Sequence, residues 1–182
     1  MLSPFVGPVA WALSDGTAVA ATTTETSLLT AQAAGGKWAM PGNFFAMPGQ
    51  IMRLKAAGRI STPAATQGNP TFKVKVGSVA VATSAALTSL ASQTNIQWQI
   101  DLLMTLRTVG DGTAATFMSQ GVILTALVSA TNLNNAWQAS APAVGTGFDA
   151  STAATVDLTV TWSNATAGNT IQLHQYLLES VV

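Results

Sequence analysis

The chain contains no cysteine, so neither a disulfide nor a thiolate metal site is available to hold it together. Charge is scarce as well. Charged residues make up 8% of the sequence, against roughly 25% in an ordinary soluble domain. Seven cations balance seven acids, giving a formal net charge of zero. Such a surface repels its own copies weakly, which favours self-association. No stretch approaches the ~20 strongly apolar residues that a membrane-spanning helix requires. The opening MLSPFVGPVAWALSDG has no cation, the first being Lys37, and so lacks the basic start of a secretory leader. These features predict a protein made in the cytoplasm, with no membrane anchor and no membrane partner.

Residues that carry out chemistry are equally sparse. There is one histidine, His174, and one tyrosine, Tyr176. A serine-based hydrolase needs a histidine placed between a carboxylate and a nucleophile, and no G-x-S-x-G elbow presents a serine. A zinc site would have to draw carboxylates from scattered segments. The GDGT at residues 110–113 lacks the ligand spacing of a calcium loop, and GGKW lacks the remainder of a phosphate loop. No acid pair stands in the setting of a glycosidase. The expectation is a protein without catalytic, metal or cofactor residues.

What the sequence does have is alternation. In IQWQIDLLMTLRTVG, Ile96, Trp98, Ile100, Leu102, Met104 and Leu106 fall on one face, with Gln97, Gln99, Asp101, Thr105 and Arg107 on the other. A period of two over this length is a strand, not a helix. Only Leu103 and Val109 interrupt the polar side. The same reading puts Met52, Leu54, Ala56 and Ile60 inward, then Phe72, Val74 and Val76, then Val156, Leu158, Val160 and Trp162. Turn signals such as Gly77-Ser78 and Gly110-Asp111-Gly112 separate the runs. About eight strands with no amphipathic helix predict an all-β, jelly-roll-like antiparallel sandwich. Residues 1–22 read as an irregular N-terminal arm and residues 23–182 as a single sandwich domain. A long loop is expected over residues 128–152.

Two strands are apolar on both faces, whereas a sandwich buries only one face of each sheet. In TFMSQGVILTAL, Phe117 and Ile123 oppose Met118, Val122 and Leu124. In TIQLHQYLLESVV, strict alternation places Ile171, Leu173 and Leu177 inward and His174, Tyr176 and Leu178 outward. The second faces are expected to meet another subunit, with His174, Tyr176, Leu178, Phe117 and Ile123 at the contact. Five of the seven cations, Arg53, Lys55, Arg59, Lys73 and Lys75, fall on the outward faces of two strands expected to be neighbours. This stripe is either a solvated face or a contact for an acidic protein surface. Zero net charge and the lack of interleaved aromatics argue against nucleic acid.

The segments NFFAMPGQIMRLKAAGRIST, TLRTVGDGTAATFMSQG and VDLTVTWSNATAGNTIQLHQYLLESV, in that order, resemble small virion proteins encoded among the structural genes of tailed bacteriophages, particularly those of actinobacteria. The resemblance covers roughly residues 40–182 and rests on structural rather than catalytic motifs. It implies a jelly-roll-like sandwich located on the virion as a homotrimer. The expected function is then that of a capsid decoration, or cement, protein made in the host cytoplasm. Its basic stripe or N-terminal arm would touch the major capsid protein. The alternative is a minor tail or fibre-head protein that binds a host glycan through Trp38, Phe44, Phe45, Trp137 and Phe148.

Overall fold

The computed structural model describes residues 6–30, 36–138 and 141–181, and among these there is no helix. Twelve strands are present: β1 (Val6–Trp11), β2 (Val19–Ala20), β3 (Thr26–Ser27), β4 (Trp38–Met40), β5 (Ile51–Thr62), β6 (Pro70–Val76), β7 (Val79–Thr83), β8 (Gln93–Thr108), β9 (Thr116–Thr125), β10 (Asn134–Ala136), β11 (Ala154–Trp162) and β12 (Thr170–Val181). They form two antiparallel sheets. The larger runs β1-β12-β5-β8-β9-β10, with β2 also pairing with β12. The smaller runs β3-β11-β6-β7, with β4 also pairing with β11.

Because β5 occupies the whole length of one edge of β12, β1 and β2 must share the other edge. Likewise β6 fills one edge of β11, so β3 and β4 are two pieces of a single broken strand. Counted this way, four strands face four and the chain crosses between the sheets as in a jelly roll. β9 and β10 extend the larger sheet beyond that frame. The eight strands expected from alternation include β9 and omit β1; the frame instead takes β1 as an edge, and the count of twelve comes from the β9–β10 extension and the two breaks.

The period-two runs bury the sides predicted for them. Met52, Leu54, Ala56 and Ile60 of β5 face Phe72, Val74 and Val76 of β6 and Val156, Leu158, Val160 and Trp162 of β11 across the core. Trp98 of β8 packs against Phe72 with ring centroids 5.4 Å apart, and its indole N–H donates to the Arg59 carbonyl at 3.1 Å. The described residues between 128 and 152 are mostly loop, with β10 as their one named strand.

The structure departs from the sequence expectation at β12 and at the N-terminal lead-in. The first concerns the faces of β12. Its register against β5 shifts between Leu173 and Gln175, a β-bulge centred on His174. One extra residue reverses the phase of everything beyond it. Ile171 and Leu173 point inward before the bulge, and Tyr176, Leu178 and Ser180 point inward after it. Tyr176 is 4% exposed and Leu178 0%, both covered by their own chain. Phe117 and Ile123, on the inward side of β9, are also fully buried. None of these four side chains is available to a second subunit. Leu177, expected inward, is the residue that faces out.

The second correction concerns the N-terminal lead-in. Residues 6–11 and 19–20 are the edge of the larger sheet rather than an arm. Between them the chain stays attached to β12, with Ala12 N–H donating to the Tyr176 carbonyl at 2.9 Å and Gly16 N–H to that of Leu173 at 2.8 Å. The sandwich therefore begins well before residue 23. Residues 1–5 lie outside the described residues.

A candidate interaction face on the larger sheet

The five cations of the predicted stripe do not share a surface. β5 belongs to the larger sheet and β6 to the smaller, so Arg53, Lys55 and Arg59 emerge on one side of the sandwich and Lys73 and Lys75 on the other. On the smaller sheet the charges satisfy one another. Glu25 bridges Lys73 at 2.6 Å and Lys75 at 2.8 Å. These two lysines hold its carboxyl down at about 2. Asp157 takes Lys37 at 2.9 Å and the Ser27 hydroxyl at 2.7 Å. This face is internally paired.

The larger sheet differs. Its outward side chains form rows across the strands that follow from the register. Leu177, Lys55, Asp101 and Val122 make one row, and Trp11 extends it at the β1 edge. One pleat along, Glu179, Arg53, Leu103 and Gln120 make the next. Arg53 grips Asp101 with two hydrogen bonds, 3.0 Å from Nε and 2.6 Å from Nη2. That contact holds the Asp101 carboxyl below its ordinary value. Arg59 similarly makes two bonds to Oε1 of Gln172, at 3.0 and 2.7 Å. Apolar groups lie open between these polar ones: Trp11 is 48% exposed, Leu103 44% and Val122 39%. Apolar side chains set among guanidinium and amide groups are the composition of a protein-binding surface.

In the opposite direction from Arg53 lies the row Gln175, Ala57, Gln99 and Leu124. Ala57 is short where its neighbours are long, and the sheet dips there. The dip is a hollow of about 270 Å³ with Lys55, Gln97, Gln99, Gln175 and Leu177 around Ala57. A second hollow of about 400 Å³ shares Gln97 and Gln99 as its rim and continues toward Ile96, Leu124 and Leu133. The two make a trough that runs across the strands. The β12 bulge ends beside it, where Gln175 stands opposite Ala57.

His174, at the bulge itself, is one-third exposed and sits on Asp15, with Nδ1 to Oδ1 2.8 Å. The pair fastens the β1–β2 connection to β12. Among the described residues no group of three or more His, Asp or Glu side chains comes together as a metal site would require.

The aromatic residues considered as sugar platforms are turned inward. Phe45, Trp137 and Phe148 are each 1% exposed. Trp38 and Phe44 are half-buried and lie edge to face at 4.6 Å. Phe45 continues the contact to Phe117, which stacks on Phe148 at 5.2 Å. Trp38, Phe44, Phe45 and Phe148 thus belong to one aromatic cluster with Phe117, Trp137 is buried apart from it beside Gly121, and none of the three buried rings offers an open face.

Of the residues singled out from sequence, only Arg53, Lys55 and Arg59 are brought together on an open surface. Alternation puts Gln97 and Gln99 on the outward face, but nothing in the sequence marks Trp11, Ala57, Gln175 or Leu177 as their neighbours. One signal was available: Leu103 stood out as an apolar residue on a polar side, and it lies within the exposed face. No family model, curated protein or solved structure matches the chain.

Proposed function

We propose that this chain is a non-enzymatic virion structural protein, a capsid decoration module that attaches to the major capsid protein through the outward face of its larger sheet. The observation that carries this reading is the contrast between the two outer faces. One is a closed network of ion pairs, whereas the other leaves Trp11, Leu103 and Val122 exposed among cations. The jelly-roll frame and the motif resemblance to tailed-phage virion proteins support the assignment to a particle. The low charge supports a homo-oligomer, and a cyclic trimer is the form proposed. Since Tyr176, Leu178, Phe117 and Ile123 are core residues, the trimer contact must use other surfaces.

The test is attachment and copy number. A stained gel of purified virions should show the protein at a level that scales with the capsid protein. Leu103→Glu, an exposed change, should leave the fold intact and reduce attachment. A few copies per particle, or attachment indifferent to Leu103→Glu, would refute a decoration protein bound through this face.

A further inference from the structure

The trough specifies what kind of partner surface fits it. On the strands of the larger sheet, the outward charged residues are Arg53, Lys55, Arg59 and Arg107 against Asp101 and Glu179. Both oxygens of Asp101 are engaged by Arg53, so the Lys55 ammonium beside it keeps capacity for another carboxylate. A second copy docking the same face would bring cations onto cations, which disfavours a symmetric self-contact here. Among the described residues the side-chain amides of Gln97, Gln99 and Gln175 find no hydrogen-bond partner, unlike Gln172, which accepts from Arg59 and donates to the Gly16 carbonyl at 2.9 Å. Each such amide offers both donors and an acceptor. Around an alanine floor they present a polar rim over a shallow apolar base, with Leu177 on one side.

We propose that the hollow over Ala57 receives an acidic side chain from an extended segment of a partner protein. Lys55 meets the carboxylate, and the three glutamine amides bond the segment's backbone as it crosses into the second hollow. This deepens the docking reading above and rests on it. The occupant is a polypeptide of another protein, because its chemistry has to supply negative charge, peptide amides and apolar contact along one line.

The probe is a hexaglutamate peptide titrated into isotopically labelled protein at low salt, followed by NMR through the side-chain amides of Gln97, Gln99 and Gln175 and the Ala57 methyl. These signals should move together and saturate. Lys55→Glu should weaken binding at least tenfold. Ala57→Leu, which fills the hollow without altering charge, should weaken it comparably. Three outcomes would overturn the proposal. Tighter binding of a galacturonate oligomer would make the site a saccharide site. Movement of the same signals with protein concentration alone would make it a self-contact. Binding insensitive to Ala57→Leu would reduce it to diffuse charge attraction. If Leu103→Glu abolishes virion attachment while Ala57→Leu does not, the docking face stands and the hollow is not its key.

Discussion

The carbonyl of Gln172 stands where a side chain on Gly58 would begin. Gly58 lies opposite Leu173, the last residue in register before the β12 bulge, and the Trp98 ring closes the same space from the β8 side. The glycine is there so that two backbones can approach closely, and this approach sets the bulge that turns Tyr176 inward. Gly58→Ala must push β12 away or displace Trp98. The expected cost is about 1–3 kcal/mol, as for other overpacked positions, measured by urea denaturation. A neutral substitution would mean that β12 can shift without loss.

Tyr176 presents a different problem. Its hydroxyl is buried and finds no hydrogen-bond partner among the described residues. Burial, assisted by the charge of Asp157, pushes its pKa up from 10.0. The stability associated with a neutral Tyr176 is fully present below about pH 10. It is lost as pH rises toward the elevated folded value, because the unfolded chain ionises first. Tyr176→Phe should therefore be neutral or stabilising by about 1 kcal/mol at neutral pH, and should remove part of the alkaline loss. Tyr176→Ala should cost about 3–5 kcal/mol of folding stability. As the only tyrosine, it can be followed directly by phenolate absorbance. Titration at an ordinary pH in the folded protein would contradict its placement in the core.

Glu25 controls the acid limb. Its carboxyl is depressed from 4.5 to about 2, chiefly by hydrogen bonds from Lys73 and Lys75. Its contribution is present above the unfolded value near 4.5 and lost as pH falls toward about 2. Glu25→Gln should lower stability at neutral pH and flatten its dependence on pH over that window. Denaturation curves at a series of acid pH values measure this directly. An unchanged slope would show that the two lysines do not act on Glu25 in solution.

Much of the fold was legible because alternation reports which side of a strand is apolar, and in β5, β6, β8 and β11 it did so residue by residue. Alternation is silent on which sheet a strand joins. Alternation alone therefore groups Lys73 and Lys75 with Arg53, Lys55 and Arg59, although their strands lie in opposite sheets of the sandwich. It is also blind to a bulge, since a single inserted residue at His174 carries no compositional mark and yet inverts Tyr176, Leu177 and Leu178. The hollow was hidden for a related reason. Ala57 and Gln99 are distant in sequence, and only the β5–β8 register makes them neighbours.

The position of β12 also bears on how the chain reaches this state. Among the described strands β12 comes after all the others in sequence, yet it lies between β1 and β5, two of the earlier ones. Until it arrives, the growing chain has β5 with an unclaimed edge and β1 with no strand to pair with. The larger sheet can close only through contacts of very long sequence separation, which makes for slow folding. During that interval the waiting strand edges are exposed to neighbouring chains. The yield of folded protein would then be set by the insertion of this single strand between two that precede it.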